Sequence, residues 1–110
     1  MSKVLVIDDD RTVSEMVQRS LDKIGVSVEK ALTAERGLEM LQEFEIDTVL
    51  LDIMLPGTSG LDVFHRIREF DRKLPVIFIT SGTDSATAIK AMQLGGFDHV
   101  TKPLDLPALN

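Results

Sequence analysis

Short β-branched apolar runs alternate five times with longer segments whose apolar residues recur every three or four positions. This rhythm restricts the chain to a parallel sheet with crossover helices. Strands covered on both faces read as unbroken apolar runs, while amphipathic helices read with a period of about 3.6 residues. Strands are predicted at Lys3–Ile7, Ser27–Lys30, Thr48–Leu51, Val76–Thr80 and His99–Thr101, and the cores of the first, third and fourth are apolar. The first helix is expected to bury Val13, Met16, Val17, Leu21 and Ile24 and to stop at Gly25. Leu38 and Leu41 punctuate the second. The third opens on a capping box formed by Ser59 and Asp62 and presents Leu61, Phe64, Ile67 and Arg68; the fourth carries Ala88, Met92 and Leu94 before Gly95-Gly96.

A chain of 110 residues suits one compact core and leaves no room for two. Cysteine is absent, which excludes disulfide frameworks and thiolate metal sites. The longest apolar runs, Val4–Ile7 and Val76–Ile79, are four residues each, far below the ~20 needed to cross a bilayer. The amino terminus also lacks the apolar stretch of a secretory signal, so a cytoplasmic protein with no membrane partner is expected. Twelve basic against eighteen acidic residues give a net charge of −6. That balance argues against direct binding of a nucleic acid backbone by this segment.

In an open, doubly wound sheet the ligand site lies beyond the C-terminal ends of the strands. There the sequence is polar: Asp8, Asp9 and Asp10 follow the first strand, Asp52 follows the third, Thr80 and Ser81 close the fourth, and Lys102-Pro103 follow the fifth. Helix capping accounts for an Asp or Ser at any one of these places, but not for a lysine. If Asp8, Asp9 and Asp52 converge to about 5 Å, each pair repels by roughly 3 kcal/mol at an effective dielectric near 20. Lys102 offsets part of that repulsion and a divalent cation offsets the rest. A ligand set with oxygen donors only points to Mg²⁺, or alternatively Mn²⁺, rather than zinc. Such a cation accepts phosphate oxygens, so Mg²⁺-assisted phosphoryl transfer to a carboxylate is the expected chemistry.

Over essentially its whole length the chain resembles the receiver domains of two-component response regulators. Val4–Asp10 looks like the first strand and acidic pair of that family. Val49–Gly57 with Gly60 looks like its phosphoacceptor strand and the loop after it. Pro75–Gly82 and Gly95–Pro103 carry the hydroxyl and the lysine. The stretch from Gly82 to Asp105 is similar to receivers attached to sigma-54-dependent transcriptional activators. The resemblance implies an α/β, flavodoxin-like, doubly wound five-stranded parallel sheet in the order 2-1-3-4-5. It also implies that Asp52 is the phosphoacceptor, served by a histidine kinase or phosphotransfer protein. Asp9, Asp52 and the backbone carbonyl of Met54 would bind Mg²⁺ directly, and Asp8 through a water. Lys102, aimed by a cis bond to Pro103, would pair with a phosphoryl oxygen. Thr80 would hydrogen-bond the phosphoryl group and make room for residue 99 to turn inward. Asp10 has no implied role in the chemistry and reads as the N-cap of the first helix.

The family usually carries Tyr or Phe at position 99, where this chain has His99, either a partly exposed strand residue or a switch that titrates near neutrality. His65 reads as a surface residue. The chain runs out at Leu104–Asn110, where a fifth helix has barely begun, so residues 1–110 are expected to be a receiver domain from a longer regulator whose output domain lies outside this chain. A homodimer through the face of the fourth helix and fifth strand is one expected partner. Two alternatives remain open. The segment Val4–Val13 also looks like the opening motif of haloacid dehalogenase-type phosphatases, with Asp8 as nucleophile, and a receiver-like module that is never phosphorylated is the other.

Overall fold

The structure, a computed structural model, describes residues 2–80, 89–90, 92–96 and 98–101. Five parallel strands form one sheet: β1 (Lys3–Ile7), β2 (Ser27–Ala31), β3 (Thr48–Asp52), β4 (Val76–Thr80) and β5 (Asp98–Thr101). Their order is β2-β1-β3-β4-β5, as expected from the sequence. Helices α1 (Arg11–Asp22), α2 (Ala34–Glu43) and α3 (Gly60–Phe70) connect them, and residues 89–90 and 92–93 are helical. Ser81, Gly82, Ala88, Lys102, Pro103 and the start of the expected fifth helix lie outside the described residues.

Alternation along the strands builds two cores. Leu5 and Ile7 of β1, Val49 and Leu51 of β3, and Val76 and Phe78 of β4 pack with Met40 and Leu41 of α2 and with Val63, Phe64 and Ile67 of α3. Val6, Leu50 and Ile79 point the other way, onto Val13, Val17 and Leu21 of α1. Both faces of the central strands are therefore covered, which explains their unbroken apolar sequence.

Helix ends follow local chemistry. The Asp10 carboxylate accepts from Thr12 N–H at 2.9 Å and caps α1, as expected. Asp10→Ala should lower stability by about 1 kcal/mol, read as a small drop in melting temperature; an unchanged melt would show the cap to be idle. Thr33 caps α2 through Arg36 N–H at 3.1 Å. Gly25 has φ +80 in the turn that ends α1, a conformation that favours glycine.

Four local expectations are corrected. Ile24 is 56% exposed, because α1 ends at Asp22 and the turn carries Ile24 off the inner face. Met16 is only half-buried, and Ser14 lies inside instead, with its hydroxyl on the Asp10 carbonyl at 3.5 Å. Leu94 stands in a turn rather than on the fourth helix, and it is exposed. Ser59 does cap α3, but its hydroxyl accepts from Leu61 N–H at 3.1 Å, one residue short of the expected Asp62 position.

Candidate functional site: an acidic cluster at the carboxyl edge of the sheet

The register of β1 on β3 matches Ile7 with Leu51, so Asp8 and Asp52, the next residue on each strand, emerge side by side. Asp9 follows Asp8 in the loop. One carboxylate oxygen from each of Asp8, Asp9 and Asp52 can be chosen so that all three lie within 4.8 Å of one another. Asp8 is fully buried and Asp52 is 5% exposed, while Asp9 faces solvent. Each buried carboxylate is oriented by the backbone two residues on: Asp8 Oδ1 accepts from Asp10 N–H at 2.9 Å, and Asp52 Oδ1 from Met54 N–H at 2.9 Å. These turns help aim both side chains at the sheet edge.

The loop after Asp52 is shaped by close packing. Met54–Leu55 pairs antiparallel with Thr58–Ser59 across a Pro56-Gly57 turn, and Gly57 takes φ +76. Gly60 then starts α3 with its N–H on the Ile53 carbonyl at 2.9 Å. A Cβ at Gly60 would sit 2.5 Å from Ile53 Cα and 2.7 Å from the Asp52 carbonyl oxygen. Glycine is what allows helix and acceptor strand to approach this closely. Met54 is 61% exposed at the rim. Thr80 ends β4, 3% exposed, next after Ile79, which is matched with Asp52. His99 lies in β5, its backbone paired with Phe78. Lys102 lies outside the described residues, and His65 is exposed as expected.

Three carboxylates with no nitrogen or sulfur donor in their cluster fit a hard cation. These acids are legible in the sequence because parallel strands deliver all their C-terminal ends to one edge. Arg68 stands on the expected inner stripe of α3, and the sequence attaches no role to it. The signal was a cation one turn after Phe64 on an apolar face, and Arg68 indeed stacks over the Phe64 ring at 4.6 Å.

A doubly wound sheet in this order, with paired acids beyond its first and third strands, defines a class of signalling receiver. The chain belongs to the response regulator receiver domain family, whose model matches residues 4–110. It is 37% identical over 107 residues to the transcriptional regulatory protein DltR of Streptococcus agalactiae, covering 97% of this chain and 48% of DltR. It is also 37% identical over 101 residues to the regulatory protein VanR of Enterococcus faecium, covering 92% of this chain and 43% of VanR. Among solved structures, a response regulator receiver domain protein from Clostridium thermocellum superimposes with a TM-score of 0.92 at 32% identity, covering 99% of this chain and 88% of the other. The chain thus spans about half the length of the curated relatives it matches. The haloacid dehalogenase alternative is not favoured. No described helix is long and apolar enough to cross a membrane.

Proposed function

We propose that this chain is the phosphoacceptor part of a longer cytoplasmic regulator, with Asp52 taking a phosphoryl group from the phosphohistidine of a histidine kinase or phosphotransfer protein. The carrying observation is the convergence of Asp8, Asp9 and Asp52 within 4.8 Å at the carboxyl edge of the sheet. A carboxylate oxygen of Asp52 attacks phosphorus, the P–O bond forms as the P–N bond breaks, and the imidazole leaves with the bonding pair. Met54 N–H fixes the other side of that carboxylate, so the nucleophile is oriented before the donor arrives.

Asp9, Asp52 and the Met54 carbonyl would hold Mg²⁺, with Mn²⁺ as substitute, and Asp8 would act through a bound water. Bound there, the cation supplies the positive charge that lets a carboxylate approach an anionic phosphoryl group. Lys102 pairs with a phosphoryl oxygen, and Thr80 donates its hydroxyl to another. Drawing in Thr80 opens space for His99, which passes the change to an output domain outside residues 1–110, in keeping with relatives named as transcriptional regulators. A homodimer through the fourth helix and β5 is the accompanying partner proposal.

The test is incubation with acetyl phosphate, with and without Mg²⁺. A mass gain of one phosphoryl group, mapped to Asp52 and abolished by excess chelator, is expected. Equal loading in chelator would overturn the metal's part. No loading at saturating Mg²⁺ would leave the unphosphorylated interaction module.

A further inference from the structure

Arg68 reaches from α3 to the segments leading into two different strands. Its guanidinium carbon lies over the Phe64 ring, 4.6 Å from the centroid, and Phe64 packs against Phe78 in the middle of β4 with ring centroids 5.3 Å apart. From that platform Nη1 donates to the Leu74 carbonyl at 2.6 Å and to the Asp71 carbonyl at 3.4 Å, while Nη2 donates to the Gly95 carbonyl at 3.3 Å. Leu74 leads into β4 and Gly95 leads into β5. The ladder pairs Ile77 with Asp98, so Leu74 and Gly95 each stand three residues ahead of the same matched pair. The guanidinium therefore joins the two strands at one level, just before their backbone pairing begins.

β5 needs such an anchor. It is four residues long and, among the described residues, lies at an edge of the sheet, bonded only to β4. A slip of one residue would turn every side chain of the strand to the other face. A slip of two would preserve the alternation but move the strand's far end by about 7 Å. The few ladder bonds of a short edge strand discriminate weakly among these registers.

We propose that Arg68 is a positioning residue that sets the register of β5 against β4, and through it the level at which Lys102, the residue after β5, meets the Asp52 site. The inference rests on the role given to Lys102 above. Arginine suits the task because one planar group presents separate donors to separate carbonyls, whereas a lysine ammonium is a single point. The clamp lies at the opposite end of the strands from the acids, so it acts through strand placement and touches no phosphoryl group.

Arg68→Ala and Arg68→Lys test this in the full chain by amide hydrogen exchange and by titration with beryllofluoride in saturating Mg²⁺. In Arg68→Ala, exchange at Asp98–Thr101 should accelerate about tenfold or more, the scale of losing charged hydrogen bonds, while β1 and β2 keep their protection. Arg68→Lys should recover less than half of the lost protection. In both, the beryllofluoride midpoint should rise severalfold. Unchanged protection of β5, equal acceleration in every strand, full rescue by lysine, or an unchanged midpoint beside a loosened β5 would each overturn the proposal. Should Arg68→Ala not fold, Arg68→Lys decides by the same criteria. Failure of the parent chain to bind beryllofluoride would count against the phosphoacceptor reading instead, and the exchange measurements would still decide whether the clamp exists.

Discussion

Asp52→Asn should abolish phosphoryl uptake from acetyl phosphate and, at low salt without Mg²⁺, raise the melting temperature. The amide is no nucleophile, so the mass gain disappears, yet its oxygen can still accept from Met54 N–H and keep the loop in place. Stability should rise because the substitution removes one of three charges whose oxygens lie within 4.8 Å. At that spacing and an effective dielectric near 20, a carboxylate pair repels by about 3 kcal/mol. Asp9 is solvent-exposed, so its share is screened, and the buried Asp8–Asp52 pair dominates. Even one-third of that repulsion, left over after the part that Lys102 is expected to offset, corresponds to a rise of about 4 °C for a domain near this size. Salt or Mg²⁺ should narrow the gap between variant and parent. A variant that melts no higher in chelator would show the cluster to be relieved already. Persistent uptake, especially at Asp8, would revive the phosphatase alternative.

The sheet was legible in the sequence because burial on two faces leaves an unmistakable apolar run, and strand order followed from family resemblance. Strand ends were less legible. β2, β3 and β5 each extend one residue beyond expectation, to Ala31, Asp52 and Asp98, since backbone pairing continues regardless of side-chain type. The inner stripe of α1 departs from the sequence periodicity at its flanks. Val13, Val17 and Leu21 set its centre correctly, but Ser14 is inside and Ile24 is out, a distinction that depends on where the helix stops. The acidic cluster could be anticipated from topology alone; that Asp8 and Asp52 are neighbours depends on the Ile7–Leu51 register, which no local pattern encodes. Arg68 is the same case. Its carbonyl partner Gly95 is 27 residues away, and only the folded chain brings them together.

Gly60→Ala should be the most damaging single methyl group that can be added beside the site. The new Cβ would meet Ile53 Cα at 2.5 Å, the Asp52 carbonyl oxygen at 2.7 Å and the Ile53 carbonyl carbon at 2.9 Å. All three are backbone atoms, so no rotamer change relieves the contact. Ile53 is fully buried and its N–H is held by the Ile79 carbonyl at 3.0 Å, which blocks retreat on the sheet side. Retreat of α3 would break the bond from Gly60 N–H to the Ile53 carbonyl. Overpacking of this kind costs about 3 kcal/mol, against a gain in helix propensity of no more than about 1 kcal/mol. The melting temperature should fall by about 8 °C, and phosphoryl loading should slow because the displaced backbone carries Asp52. Ser59→Ala is the control, since it removes only the α3 cap and should cost about 1 kcal/mol. A Gly60→Ala protein that melts and loads like the Ser59→Ala control would show that helix and acceptor strand can separate freely, and that the close approach at Gly60 does not hold Asp52 in place.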